Sequence, residues 1–146
     1  MLDRIKQAVI LSTMLAVGTA HAARDTIVSD SLLQAIHMVE SNGNLKAPLG
    51  DNGKARGPLQ IHYSYWKDAT EYDRSIGGTY ADCDSLEYAK KIVRAYMRRY
   101  ASRGATEQEI AMLHNAGCNI MKKSKTSQVW RNATGYWEKV KKHLKD

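Results

Sequence analysis

Apolar residues recur at helical spacing along most of the chain, and the breaks between those runs mark where the helices end. Leu32, Leu33, Ile36 and Val39 share one helical face; Ser29 or Asp30 can cap that helix, which runs to about Glu40. Asn42-Gly43-Asn44 stops it. Over residues 47–57 the periodicity gives way to turn formers (Pro48, Gly50, Gly53 and Gly57), and Asp51-Asn52-Gly53 predicts the tip of a small hairpin. Residues 64–70 (SYWKDAT) read as a short helix. Residues 85–103 carry the clearest stripe, Leu86, Ala89, Ile92, Val93, Tyr96, Met97 and Tyr100, with Gly104 as the stop. Thr106 and Glu109 form a capping box that opens a helix ending at Gly117. A last helix, from about Gly135, buries Tyr136, Trp137, Val140 and Leu144. The pattern predicts a helix-dominated α+β domain with one small antiparallel β element.

The first residues have a different pattern. Residues 1–7 form a polar stretch holding Arg4 and Lys6, residues 8–17 (AVILSTMLAV) are apolar, and Ala20-His21-Ala22 is an A-x-A site. That order predicts a secretory signal peptide over residues 1–22, with a buried N-terminal helix as the alternative; the apolar run is too short to span a bilayer. Residues 23–146 then form the domain, and a secreted or periplasmic location follows. A length of 146 residues suits a single domain, and no repeat or linker divides it.

Charge narrows the partner. The chain is +7 overall, and the leader contributes only Arg4 and Lys6 against Asp3. A basic secreted domain suits a polyanion such as a cell wall, nucleic acid or anionic lipid. Arg98-Arg99 and the Lys139, Lys141 and Lys142 group also read simply as solvated helix faces. The two cysteines, Cys83 and Cys118, would meet an oxidising compartment, so a disulfide between them is expected. There is no C-x-x-C and no H-E-x-x-H, and the histidines are scattered, so no metal or other cofactor is expected.

Two carboxylates carry the candidate chemistry. Glu40 borders the buried stripe and lies in the last turn of its helix, where the dipole disfavours negative charge. Partial burial and the dipole together are the setting a proton donor needs, although a glutamate at a helix edge is more often a surface charge. A hairpin folding back over that helix end would bring Asp51 opposite Glu40. One protonated and one ionised carboxyl are the minimum equipment for glycoside hydrolysis, but Asp-Asn-Gly also serves a turn for its own sake. Tyr63, Tyr65, Trp66, Tyr72 and Tyr80 crowd the middle of the chain, either as core or as stacking faces for sugar rings. No G-x-S-x-G elbow supports a serine nucleophile.

Val39-Glu40-Ser41 followed by Asp51, then GPLQIHYSYWKDA (residues 57–69), resembles the catalytic region of the invertebrate-type (i-type) lysozymes, the family that includes destabilase. The likeness continues through AYMRRY (95–100), LHNAG (113–117) and GYWEKV (135–140), in family order. The resemblance implies a lysozyme-like fold and cleavage of the β-1,4 bond between N-acetylmuramic acid and N-acetylglucosamine in peptidoglycan. Neither nucleic acid nor stable membrane insertion is implied. Glu40 takes the place of the proton donor and Asp51 that of the second carboxylate. Ser41, Gln60, His114 and Asn115 become candidate substrate contacts. The pairing of a raised glutamate with an ionised aspartate is itself the best-known lysozyme arrangement. A lytic transglycosylase using Glu40 alone, or a non-catalytic peptidoglycan-binding module, fits the same residues. The chain departs from the animal members in three ways. It has two cysteines where they have many, with His37 where a cysteine precedes V-E-S; its segment between Asp51 and Gly57 is about one residue shorter; and it has His62 where lysine is common. The isopeptidase activity of destabilase is therefore not carried over.

Overall fold

The computed structural model describes residues 28–144, so the leader assigned to residues 1–22 lies outside the described residues. Helix α1 is Asp30–Ser41. The Ser29 hydroxyl accepts the Leu32 N–H at 3.1 Å, pairing one of the helix's orphan donors, a cap that contributes about 1 kcal/mol. Asn42 closes the other end in the left-handed region (φ 52°), a conformation asparagine tolerates better than most residues. Leu32, Leu33 and Ile36 are completely buried, each contributing about 1.5–3 kcal/mol over an exposed position. Val39 is only partly buried, and His37 takes a buried place that the apolar pattern did not foresee.

The β excursion extends further than residues 47–57. Gly50 and Ala55 form an antiparallel bridge, and the 3₁₀ turn Asp51–Gly53 is its tip. Strand β1 (Ala55–Arg56) then pairs antiparallel with β2 (Ile61–His62), Ala55 facing His62 and Arg56 facing Ile61. Between them Gly57 accepts the Gln60 N–H at 2.9 Å. Glycine is required at position 57: its φ is +73°, and a Cβ there would sit 1.8 Å from the Cys83 carbonyl oxygen.

The remaining helices are α2 (Tyr63–Tyr72), α3 (Leu86–Tyr100), α4 (Glu107–Ala116) and α5 (Gln128–His143). The main packing pairs are α2 with α3, α4 with α5, and α1 with α5. Their shared core includes Ile92, Val93, Met97, Ile110, Leu113 and Val140. The capping box at Thr106 and Glu109 forms as expected, each side chain bonding the other's backbone. Helix α3 leaves helical geometry at Ala101, short of Gly104, because the buried stripe ends there. Helix α5 begins well before Gly135. The Ser127 hydroxyl accepts the Trp130 N–H at 3.2 Å, and Ala133, Tyr136 and Val140 are buried along its inner face. Asn132, Thr134 and Gly135 are weak helix formers, so propensity hid this start and packing decides it. Arginines of α3 pair with neighbouring segments: Arg94 with Asp30 at 2.6 Å and Arg98 with Asp73 at 2.9 Å.

The expected Cys83–Cys118 disulfide is not formed, and both cysteines are free thiols. Cys83 is buried in the 3₁₀ turn Tyr80–Asp84, pressed against Gly57, and burial pushes its thiol up to about 12. Cys118 follows the end of α4, half-buried beside Tyr96. An even cysteine count and an expected oxidising compartment say nothing about which neighbours hold each sulfur, and here they differ. Among the described residues, no helix is long and apolar enough to cross a membrane.

Candidate active site

Glu40 sits in the last turn of α1 with its side chain 19% exposed. The buried Tyr136 hydroxyl of α5 donates to Glu40 Oε1 at 2.7 Å. Burial first, then the neighbouring Glu40 charge, push the Tyr136 hydroxyl far above the ordinary tyrosine range, so it remains a donor. The α1–α5 packing is what brings these two side chains together. On the other side lies His114, from the last turn of α4, with Nε2 3.6 Å from the same Glu40 oxygen. That gap is too long for a direct hydrogen bond. Burial pushes His114 below its ordinary value, against the opposing pull of Glu40 and the Leu59 backbone, which keeps the imidazole neutral. Its Nδ1 faces the Tyr65 hydroxyl at 3.3 Å, and Tyr65 stacks on Tyr96 with ring centres 3.6 Å apart. Glu40 thus ends a chain of buried polar groups that runs through three helices.

Asp51 approaches from the opposite wall. It starts the tip of the Gly50–Ala55 turn with φ 47°, and its side chain is 56% exposed. Its ionisable neighbour is His62, whose Nε2 stands 3.5 Å away. Glu40, Asp51, Ala55, Gln60, His62, His114 and Asn115 line one cleft of about 230 Å³. Both candidate carboxylates therefore face the same space. A second hollow of about 380 Å³ continues from it past Tyr65, Asp68 and Cys118. Four non-glycine residues among those described have positive φ: Asn42, Asp51, Asn52 and Gln60. Asn42 follows the α1 end that carries Glu40, Asp51 and Gln60 line the cleft, and Asn52 sits beside Asp51 in the turn. Such conformations persist where the surroundings over-determine them, as at binding sites.

The candidate contacts divide into two kinds. His114 and Asn115 line the cleft, Asn115 with an exposed side chain. Gln60 also lines it, but its amide nitrogen donates to the Gly57 carbonyl at 2.9 Å and the Pro48 carbonyl at 3.2 Å. It staples the Asp51 loop to the β turn as well as facing the cleft. Ser41 does not line the cleft. Its hydroxyl is shared between the His37 carbonyl at 3.2 Å and the Pro58 carbonyl at 3.0 Å, tying the end of α1 to the β turn. The sequence pattern marks Tyr136 as a buried helix residue and leaves Tyr65 as core or a sugar-stacking face, and neither reading foresees the partner of its hydroxyl. The stripe of the last helix identifies Tyr136 as buried, and a buried tyrosine hydroxyl usually finds a hydrogen-bond partner. Among the described residues, no three His, Cys, Asp or Glu side chains gather as metal ligands.

A glutamate closing one helix, faced across a cleft by an aspartate on a small β turn within a helical frame, is a lysozyme-like α+β arrangement. The Destabilase family model matches residues 29–142, and the chain belongs to that family of lysozyme-like hydrolases. No curated protein matches the chain.

Proposed function

We propose that this protein is a secreted muramidase that hydrolyses the β-1,4 bond between N-acetylmuramic acid and N-acetylglucosamine in peptidoglycan. The observation that carries this reading is a contrast within one cleft: Glu40 is 19% exposed and core-backed, while Asp51 is 56% exposed. In the proposed reaction Glu40 gives its proton to the glycosidic oxygen as the bond from the sugar's anomeric carbon to that oxygen breaks. Asp51 stabilises or captures the positive carbon that remains. Water then adds to that carbon and returns a proton to Glu40. The Tyr136 hydroxyl fixes one Glu40 oxygen, which leaves the other to face the substrate. Positive charge favours encounter with an anionic wall, so the rate falls as salt rises.

Mass analysis of the fragments released from purified peptidoglycan tests the reading. Hydrolysis gives reducing muramic acid ends carrying the added water. Anhydro-muramyl ends would instead mean a lytic transglycosylase, and binding without release would mean a wall-binding module.

A further inference from the structure

Beyond the cleft, the outer face of α5 carries a second feature. A hollow of about 500 Å³ is lined by Asn115, Arg131, Asn132, Gly135, Tyr136 and Lys139. Asn115 also lines the carboxylate cleft and the hollow beyond it, so the three spaces adjoin. Tyr136 connects the hollow to Glu40 through its 2.7 Å hydrogen bond. The charge of the two ends differs. Arg131 and Lys139 are cationic and exposed, and no acidic side chain lines their hollow. The opposite end instead contains Asp68, bonded by the Tyr100 hydroxyl at 2.9 Å and paired with Arg99 at 3.8 Å.

Arg131 is already oriented. Its guanidinium donates to the Thr126 carbonyl and to Gln128 Oε1, which leaves further N–H donors of its fork free. Lys139 has no partner among the described residues. Gly135 is the third component. It sits inside α5, where glycine costs about 1 kcal/mol relative to alanine. Its φ is not in the left-handed region, and nothing lies within 4 Å of where its Cβ would stand. Packing therefore gives no reason for glycine here, whereas an added side chain would project from the lining of the hollow.

We propose that this hollow binds the carboxylates of the peptides that hang from the glycan's lactyl groups. Peptide-bearing strands are then cut in preference to bare glycan. The inference rests on the muramidase reading and names the part of the substrate that the second hollow takes. The geometry favours a group attached to the strand being cut, because the hollow adjoins the cleft at Asn115. Two cations with open donors and no competing acid suit a carboxylate.

The test compares kcat/KM on soluble peptidoglycan strands with their peptides and on the same strands stripped by an amidase. Wild type should favour the peptide-bearing strands. The double variant Arg131→Gln, Lys139→Gln should lose about tenfold or more on those strands, the worth of one charge-assisted hydrogen bond, and less than about twofold on bare ones. Gly135→Gln changes no charge and should raise Tm, yet it should lose the same preference, separating occupancy of the hollow from overall charge. Equal losses on both substrates, or a full preference retained by Gly135→Gln, would overturn this inference while leaving the muramidase reading intact. Failure of wild type to cut either substrate would overturn both.

Discussion

Glu40 and Asp51 share a cleft, but the fold supports them in opposite ways. Glu40 stands at the meeting of α1, α4 and α5, with a buried tyrosine donating to one oxygen and a buried neutral histidine beside it. Asp51 stands on a turn closed by the Gly50–Ala55 bridge, in a left-handed conformation, with only the half-exposed His62 nearby. In the proposed reaction the proton donor must be aimed and shielded from bulk water, which the packed core would provide. The group proposed to meet developing positive charge would work as a solvated anion, which an exposed turn suits. Burial is concentrated on one wall of the cleft and exposure on the other.

Substitutions on each wall can break that contrast. Glu40→Gln keeps size and the Tyr136 contact but has no proton to give, so kcat should fall by roughly a thousandfold or more with the fold retained. Retention of more than a few percent of turnover would remove Glu40 from its role. Asp51→Asn should lower the rate by roughly a hundredfold. Asparagine is the residue best suited to the left-handed turn, so thermal unfolding should be nearly unchanged. Normal hydrolysis by this variant would reduce Asp51 to a turn former. Tyr136→Phe leaves one Glu40 oxygen unheld and should cost about tenfold in kcat, with less effect on KM. If kcat is unchanged, the tyrosine only packs.

Two smaller effects concern stability on the Glu40 wall. Burial holds His114 below its ordinary value of 6.5, so above that pH folded and unfolded chains both carry it neutral. Below it the unfolded chain takes up the proton first, and stability falls as pH drops toward the folded value. Thermal unfolding of wild type between pH 7 and pH 5 should show this loss, and His114→Gln should flatten it. An identical slope in both proteins would assign the acid sensitivity elsewhere. His37 is 3% exposed with neither ring nitrogen hydrogen-bonded. Replacing an unpaired buried polar ring with an apolar side chain of similar volume, His37→Leu, should stabilise the fold by about 1 kcal/mol in denaturant unfolding. Destabilisation would mean that the ring is paired in solution.

Local signals were readable along the chain. Ser29, the Thr106–Glu109 box and the α3 stripe placed three helices because caps and periodicity act within a few residues. The turn-rich stretch around Asp51 also announced itself, since only a few residue types tolerate its backbone angles. The V-E-S and LHNAG segments marked Glu40, His114 and Asn115, all of which line the cleft. The errors came where distant segments compete for the same residues. The start of α5 depended on Ala133 and Tyr136 packing against other helices, which outweighed weak local propensity. Ser41 looked like a cleft residue until the β turn supplied the Pro58 carbonyl. Cys83 and Cys118 are held by different neighbours, which counting cysteines cannot reveal.

The order of the helices, the turn that carries Asp51 and the candidacy of Glu40 and Asp51 were all legible in the sequence, because each is encoded within one segment. Only the tertiary structure decided that Tyr136 grips Glu40, that His114 is neutral, and that α5 opens a cationic hollow beside the cleft. Those properties arise from burial and from contacts between segments far apart in the chain, and neither exists until the helices pack.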